Sequence, residues 1–272
     1  MVGKRTIIFI DCAHCRKGMR FGTMCCECKN CKLMFHEACK RLTTITCLPR
    51  RGNSIFGAPS RLGDFCPDSH PMVPYLVGHC VIQIEGSAVT SSVYLDEEDE
   101  EMVGKLLKTF KSTKKFPELS DCSPEVVAGC VKKFLNDIRD PLIPLTYREE
   151  FCAASNFEDP SELIKCIKNL PTCHSNTLVA LCIHWQGLAK YKENENTTGK
   201  LSETLAPIVY GSKRCGSKIQ KDLESQLIGS LQKILEIPFD QLRELCELQL
   251  HADVGNAGQS NTIQSFNSDN QK

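Results

Sequence analysis

Seven thiol and imidazole side chains near the start of the chain follow a spacing that few folds accept: Cys12-x2-Cys15-x12-Cys28-x2-Cys31-x4-His36-x2-Cys39-x7-Cys47. A Cys-x2-Cys pair lets one tight turn aim two thiolates at a single tetrahedral zinc, and here two such pairs lead into a Cys-x4-His-x2-Cys run. A segment of this size has little core to spare, so bound metal would supply most of its folding energy. Eight of the 18 cysteines crowd into residues 12–47 and the rest are scattered. Clustering with a histidine reads as metal, and scattering reads as reduced core thiols rather than a secreted disulfide framework. Cys25 and Cys26 are read as filler, and His14, inside the "CAHC" knuckle, as an exposed turn residue.

The same head is basic. Of 33 Lys/Arg and 33 Asp/Glu in a chain with no net charge, eleven basic but only three acidic residues fall within residues 1–51. Such a head can meet anionic lipid headgroups, an acidic partner or nucleic acid, or be a solvated face. An anionic membrane surface is kept as a partner of the head, and nucleic acid is not expected. The apolar run "IIFI" at residues 7–10 is too short for a signal core or a span, and no later run reaches about 18 residues. The expected location is therefore cytoplasmic.

After a Gly-, Pro- and Ser-rich stretch read as a linker over residues 51–70, the apolar period becomes helical. In "SPEVVAGCVKKFLNDIRDP" Ser123 can cap, Pro124 suits the first turn, and Val127, Cys130, Val131, Phe134, Leu135 and Ile138 form one stripe before Pro141 stops the helix. Similar patterns run through "DPSELIKCIKNLP", with Asp159 as cap, "SNTLVALCIHWQGLAKY", "KIQKDLESQLIGSLQKILEIP" and "FDQLRELCELQL". The fold class is mainly α: an all-helical body over residues 71–250, a small cysteine-rich domain over 1–50, and a polar tail over 251–272 expected to be disordered.

The cysteine ladder resembles the phorbol-ester/diacylglycerol-type zinc module. The resemblance implies two zincs, one held by Cys12, Cys15, His36 and Cys47, the other by Cys28, Cys31 and Cys39. The second set lacks one ligand, an upstream histidine that would fall before Met1, so the domain is expected to be truncated at its N-terminus. Met24 and Cys25 stand where lipid-binding members carry a Gln-Gly pair, and Phe9 replaces a family proline, which points to the atypical, scaffold-type members. A histone-tail-reading finger shares Cys-x4-His-x2-Cys but closes with a further Cys-x2-Cys pair, whereas Cys66 is isolated.

The blocks "PMVPYLVGHCVIQIE", "SSVYL", "VKKFLNDIRDPLIP", "LPTCHSNTLVALCIHWQGLA" and "LAPIV", in this order, resemble the Rho-family GTPase-activating (RhoGAP) domain. With the zinc module ahead, the order is similar to the centralspindlin-type Rac GTPase-activating proteins of cytokinesis. The resemblance implies a Rac- or Rho-type small GTPase as partner and an association with the cytoskeleton. It also implies an arginine finger that neutralises charge on the transferring phosphoryl, an effect of about 10³–10⁵ in rate. The finger turn reads Ser92-Val93-Tyr94-Leu95-Asp96-Glu97-Glu98 here, so Leu95 stands in the arginine's place, at the head of six acids that can also cap the next helix. The family's Lys-x-x-Leu-Arg becomes Lys132-Lys133-Phe134-Leu135-Asn136, and its later asparagine aligns with Lys200, or with Asn194 or Asn196. Lys132, Asn136 and Lys200 are the expected GTPase contacts.

The leading expectation is thus a GAP-fold regulator with weak or absent stimulation, not itself an enzyme. An active Rac activator and a zinc-dependent scaffold for another partner are the alternatives. No catalytic residue is expected on the chain.

Overall fold

The computed structural model describes residues 2–5, 10–12, 15, 17–19, 24–28, 34–41, 61–67, 70–87, 92–112, 117–190, 197–212 and 221–245. Two compact units emerge, one of Met1–Pro67, Pro74–Val89 and Asp96–Arg139, the other of Asp68–Val73, Thr90–Leu95 and Asp140–Lys272. Among the described residues every strand lies within residues 2–36 and all later regular structure is helical, the mainly α architecture expected. No helix among them is long and apolar enough to cross a membrane.

The head of the first unit is built from β1 (Val2–Arg5), β2 (Ile10–Asp11), β3 (Gly18–Met19), β4 (Met24–Glu27) and β5 (Met34–His36), paired antiparallel as β1-β4-β5 and β2-β3. Strands of two to four residues are too short to show alternation in sequence. In the β4/β5 register Cys25 faces His36 and Cys26 faces Phe35. Cys12, Met19, Cys25, Cys28, Met34 and Phe35 bury against one another as a small core. Cys25 is thus a structural core residue.

The helices of this unit are α1 (Tyr75–Glu85), α2 (Glu100–Ser112) and α3 (Pro124–Asp137), with α3 packed on both others. Ser123 Oγ accepts the N–H of Val126 at 3.5 Å and Pro124 opens the first turn, as the sequence pattern requires. The expected stripe from Val127 to Ile138 is buried throughout. The helix ends at Asp137, short of the stop expected at Pro141, because Ile138 already turns to extended backbone (φ −69°, ψ 152°). Asp140, preceding proline, is also disfavoured in the helical region.

The expected linker needs correction at its end. Residues 51–60 lie outside the described residues, but Leu62–Phe65 form a 3-10 turn in which Arg61 N–H donates to Asp64 Oδ2 at 2.8 Å. Leu62 is fully buried, and Phe65 packs edge-on against Phe134 with ring centroids 5.0 Å apart. Two apolar side chains three residues apart were the missed signal; Gly63 and the flanking polar residues masked them.

The second unit contains α4 (Arg148–Ala154), α5 (Ser161–Asn169), α6 (Thr172–Lys190), α7 (Thr197–Val209), α8 (Lys221–Leu235) and a helical stretch over 239–245. α6 packs on α5, α7 and α8 and is buried nearly all round, from His174 to Leu188. The cap of α5 is Pro160, one residue later than the Asp159 expected, and Asp159 supports the first turn by accepting the backbone N–H and the hydroxyl of Ser161, at 3.2 and 2.7 Å. α7 stops at Gly211, whose φ of 62° suits glycine and whose N–H reaches Ile208 O at 3.2 Å. Its last carbonyls are taken up by the N–H of Ile143, 2.9 Å from Val209 O, and by the Arg148 guanidinium on Tyr210 O. Gln186 Nε2 donates to Leu235 O and Ile237 O at 3.0 and 2.7 Å, fixing the end of α8. Burial pushes the Cys182 thiol far up, so it stays a protonated core group.

Candidate functional site

In the head, Cys12 Sγ, Cys15 Sγ, His36 Nδ1 and Cys39 Sγ all lie within 4.8 Å of one another. Cys15 Sγ and Cys39 Sγ stand 3.3 and 3.9 Å from His36 Nδ1, and the His36 N–H donates to Cys12 Sγ at 3.4 Å. Zinc bonds of about 2.0–2.3 Å in a tetrahedron set donors roughly 3.3–3.8 Å apart, so this donor set fits one metal ion. Desolvation, and after it the thiols of Cys15 and Cys12, push the Cys39 thiol up to about 11. Cys39 therefore stays a neutral thiol unless a cation compensates its charge.

This grouping differs from the one the resemblance implies, which gave Cys47 to this site and Cys39 to the other. His36 ends β5, and Ala38–Arg41 form a 3-10 turn, so the chain doubles back and returns Cys39 to the side of His36. Cys47 and Cys31 lie outside the described residues, as do His14, Asn194 and Asn196. Cys28 is buried in the small core.

The turn at residues 92–95 is anchored by its apolar members. Val93 and Tyr94 are buried, and the Tyr94 ring meets His184 and Trp185 of α6 edge-on at 5.7 and 6.1 Å. The Leu95 N–H closes the turn on Ser92 O at 2.6 Å while its side chain is only half-buried. The turn therefore presents an apolar side chain, and the segment from Ser92 to Glu101 contains no Lys or Arg.

The acids that follow divide into three uses. Asp99 Oδ1 caps α2 by accepting the N–H groups of Glu101 and Met102, each at 3.0 Å. Glu101 pairs with Lys105 at 2.6 Å on an exposed face, an i,i+4 contact that adds little. Glu98 instead turns inward, its Oε2 2.6 Å from Lys132 Nζ on α3. The helix-capping reading of the run holds for Asp99, and the Glu98 contact is the one sequence reading missed. Its signal was Gly129, on the same face of α3 one turn before Lys132: a Cβ there would lie 2.9 Å from Glu98 Cγ.

Asn136 is exposed one turn beyond Lys132 on α3. Arg139 lies past the end of that helix. Lys200 is exposed on α7, in the second compact unit, whereas Lys132 and Asn136 belong to the first. Within the second unit Asn176, buried on α6, accepts the Met72 N–H at 2.8 Å and faces His70 Nδ1 at 3.0 Å. His174 Nδ1 donates to Leu142 O at 2.9 Å, and burial lowers its pKa against the opposing pull of that carbonyl and of Asp140.

Residues 74–214 match the model of the RhoGAP domain. Over 219 residues the chain is 26% identical to Rac GTPase-activating protein 1 of Mus musculus, covering 76% of this chain and 34% of that protein. It is 27% identical to GEM-interacting protein of Mus musculus, covering 89% of this chain and 27% of that protein. The chain thus spans about a third or less of the length of these relatives. Among solved structures, human Rho GTPase activating protein 15 shares the fold with a TM-score of 0.54 at 18% identity, over 62% of this chain and 83% of that one. These findings correct one expectation from the sequence: the chain is not to be set apart from enzymes, because its relatives are named as GTPase-activating proteins, a class counted with enzymes.

Proposed function

This chain belongs to the RhoGAP domain family, and from that premise we propose that it acts on a Rac-type member of the Rho GTPases with weakened stimulation of GTP hydrolysis. The observation that carries the reading is Leu95. The turn of the arginine finger keeps its backbone closure from Leu95 N–H to Ser92 O, yet offers a side chain with neither charge nor donor. An arginine finger contributes about 10³–10⁵ in rate by neutralising charge on the transferring phosphoryl. Without it, positioning of the partner's own catalytic groups is what this surface has left to offer.

Docking then falls to Lys132, Asn136 and Lys200, with the chain working in the cytoplasm at the cytoskeleton. In the head, zinc is the metal we assign to Cys12, Cys15, His36 and Cys39, since three thiols and one imidazole at these separations suit a closed structural site. Bound there, zinc supplies folding energy rather than chemistry. Cys28, Cys31 and Cys47 are assigned to a second zinc.

The test is single-turnover GTP hydrolysis by Rac-type and Rho-type GTPases with excess native protein or its Leu95→Arg variant. Expected are a small effect of the native chain and, in the variant, recovery of part of the roughly 10³–10⁵-fold finger effect. Full stimulation by the native protein would overturn the weakened reading. Binding that ignores the nucleotide state of the GTPase would overturn the partner.

A further inference from the structure

Lys132 is the one cation of the family's lysine–arginine signature that this chain keeps, and it is met by an acid of its own chain. Its Nζ lies 2.6 Å from Glu98 Oε2, with the two side chains 12% and 24% exposed. Several features hold Glu98 in place. Gly129 leaves open the space over α3 that the Glu98 side chain crosses, since a Cβ would come within 2.9 Å of Glu98 Cγ and 2.8 Å of Val103 Cγ2. Asp99, the next residue, fixes the start of α2 by capping it. The same two helices are tied again at their other end by Lys111 and Asp137, 3.1 Å apart. The neighbouring acids Asp96, Glu97, Glu100 and Glu101 are exposed, whereas Glu98 is turned towards Lys132.

We propose that Glu98 is a positioning residue that masks Lys132, so that the lysine meets a partner as half of a neutral pair rather than as a cation. A half-buried pair at this separation resists screening by salt far better than the exposed Lys105–Glu101 pair does. To contact an acidic group on a GTPase, Lys132 must first leave Glu98, and the partner forgoes most of the attraction. The identity of the partner rests on the reading given above; the masking is a property of this chain.

Glu98→Gln separates the two, because it keeps the side-chain length and the packing over Gly129 and removes the charge. Lysine acylation by an N-hydroxysuccinimide ester of acetate, read by peptide mass spectrometry, is expected to modify Lys132 severalfold faster in Glu98→Gln than in the native protein. The exposed Lys168 serves as the reference and keeps its rate. Equal rates at Lys132 overturn the proposal. Binding to a Rac-type GTPase loaded with a non-hydrolysable GTP analogue is expected to tighten about three- to tenfold in Glu98→Gln. The loss on adding Lys132→Met is then larger in that background than in the native one, and an equal loss in both overturns the proposal. If none of these proteins prefers the GTP state while Lys132 still reacts faster in Glu98→Gln, the masking stands and the GTPase reading falls.

Discussion

Asn176 Oδ1 accepts the backbone N–H of Met72 at 2.8 Å, joining segments 104 residues apart in sequence. Asn176 is 2% exposed, so little water can replace it. Asn176→Ala strands the Met72 donor and is expected to cost about 1–3 kcal/mol of stability, read as a lower urea midpoint with unchanged helical circular dichroism.

Two histidines make the helical body sensitive to acid. Burial lowers the pKa of His174 and of His79, against opposing backbone contacts to Leu142 and Pro117. Each folded-state pKa lies below that of an ordinary histidine, about 6.5, so the unfolded chain binds protons first as pH falls. Their contribution is fully present above that value and is lost as pH drops below it towards the folded pKa. Denaturant midpoints measured from about pH 7.5 down to about pH 5.5, roughly one unit either side of an ordinary histidine, should decline. The decline should shrink in His174→Gln, whose amide does not titrate.

At Gly129 α3 leaves no room for a side chain against α2. An added Cβ would lie 2.8 Å from Val103 Cγ2, a stiff side chain in the core. Overpacking costs about 1–3 kcal/mol, and removing a mid-helix glycine returns about 1. Gly129→Ala is therefore expected to lose up to about 2 kcal/mol, and Gly129→Val more, in thermal or chemical unfolding.

The metal assignment makes a sharp statement about Cys39. With cobalt in place of zinc, Cys12→Ser and Cys39→Ser should each disturb the absorption of the same site, while Cys47→Ser should leave it intact. Zinc content should fall by about one ion per chain in either of the first two variants. Matching losses for Cys12→Ser and Cys47→Ser, with Cys39→Ser different, would restore the pairing first expected.

The helical body was legible because its cues are local. Ser123 and Pro124 announce α3, Asp159 announces α5, and a stripe of period 3.6 identifies their buried faces. Cues of the same kind placed Lys132 on α3, whereas Leu95 was singled out by the family resemblance of its turn. What stayed hidden depends on which segments meet. Phe65 reads as loop until Phe134 is seen beside it, and Glu98 reads as one acid of six until Gly129 is seen to leave it room. The grouping of Cys39 with His36 depends on the sense in which a short turn folds back, and spacing alone leaves that open.

The 3-10 turn at Leu62–Phe65 also decides where this protein can be cut. The family match begins at residue 74, yet Phe65 covers an edge of Phe134 and lies 6.5 Å from the Tyr75 ring. A recombinant fragment begun at residue 71 would uncover those two aromatic rings and the seat of Leu62, and so invite self-association. One begun at residue 60 would keep its own lid, and a protease approaching from the N-terminal side should halt there.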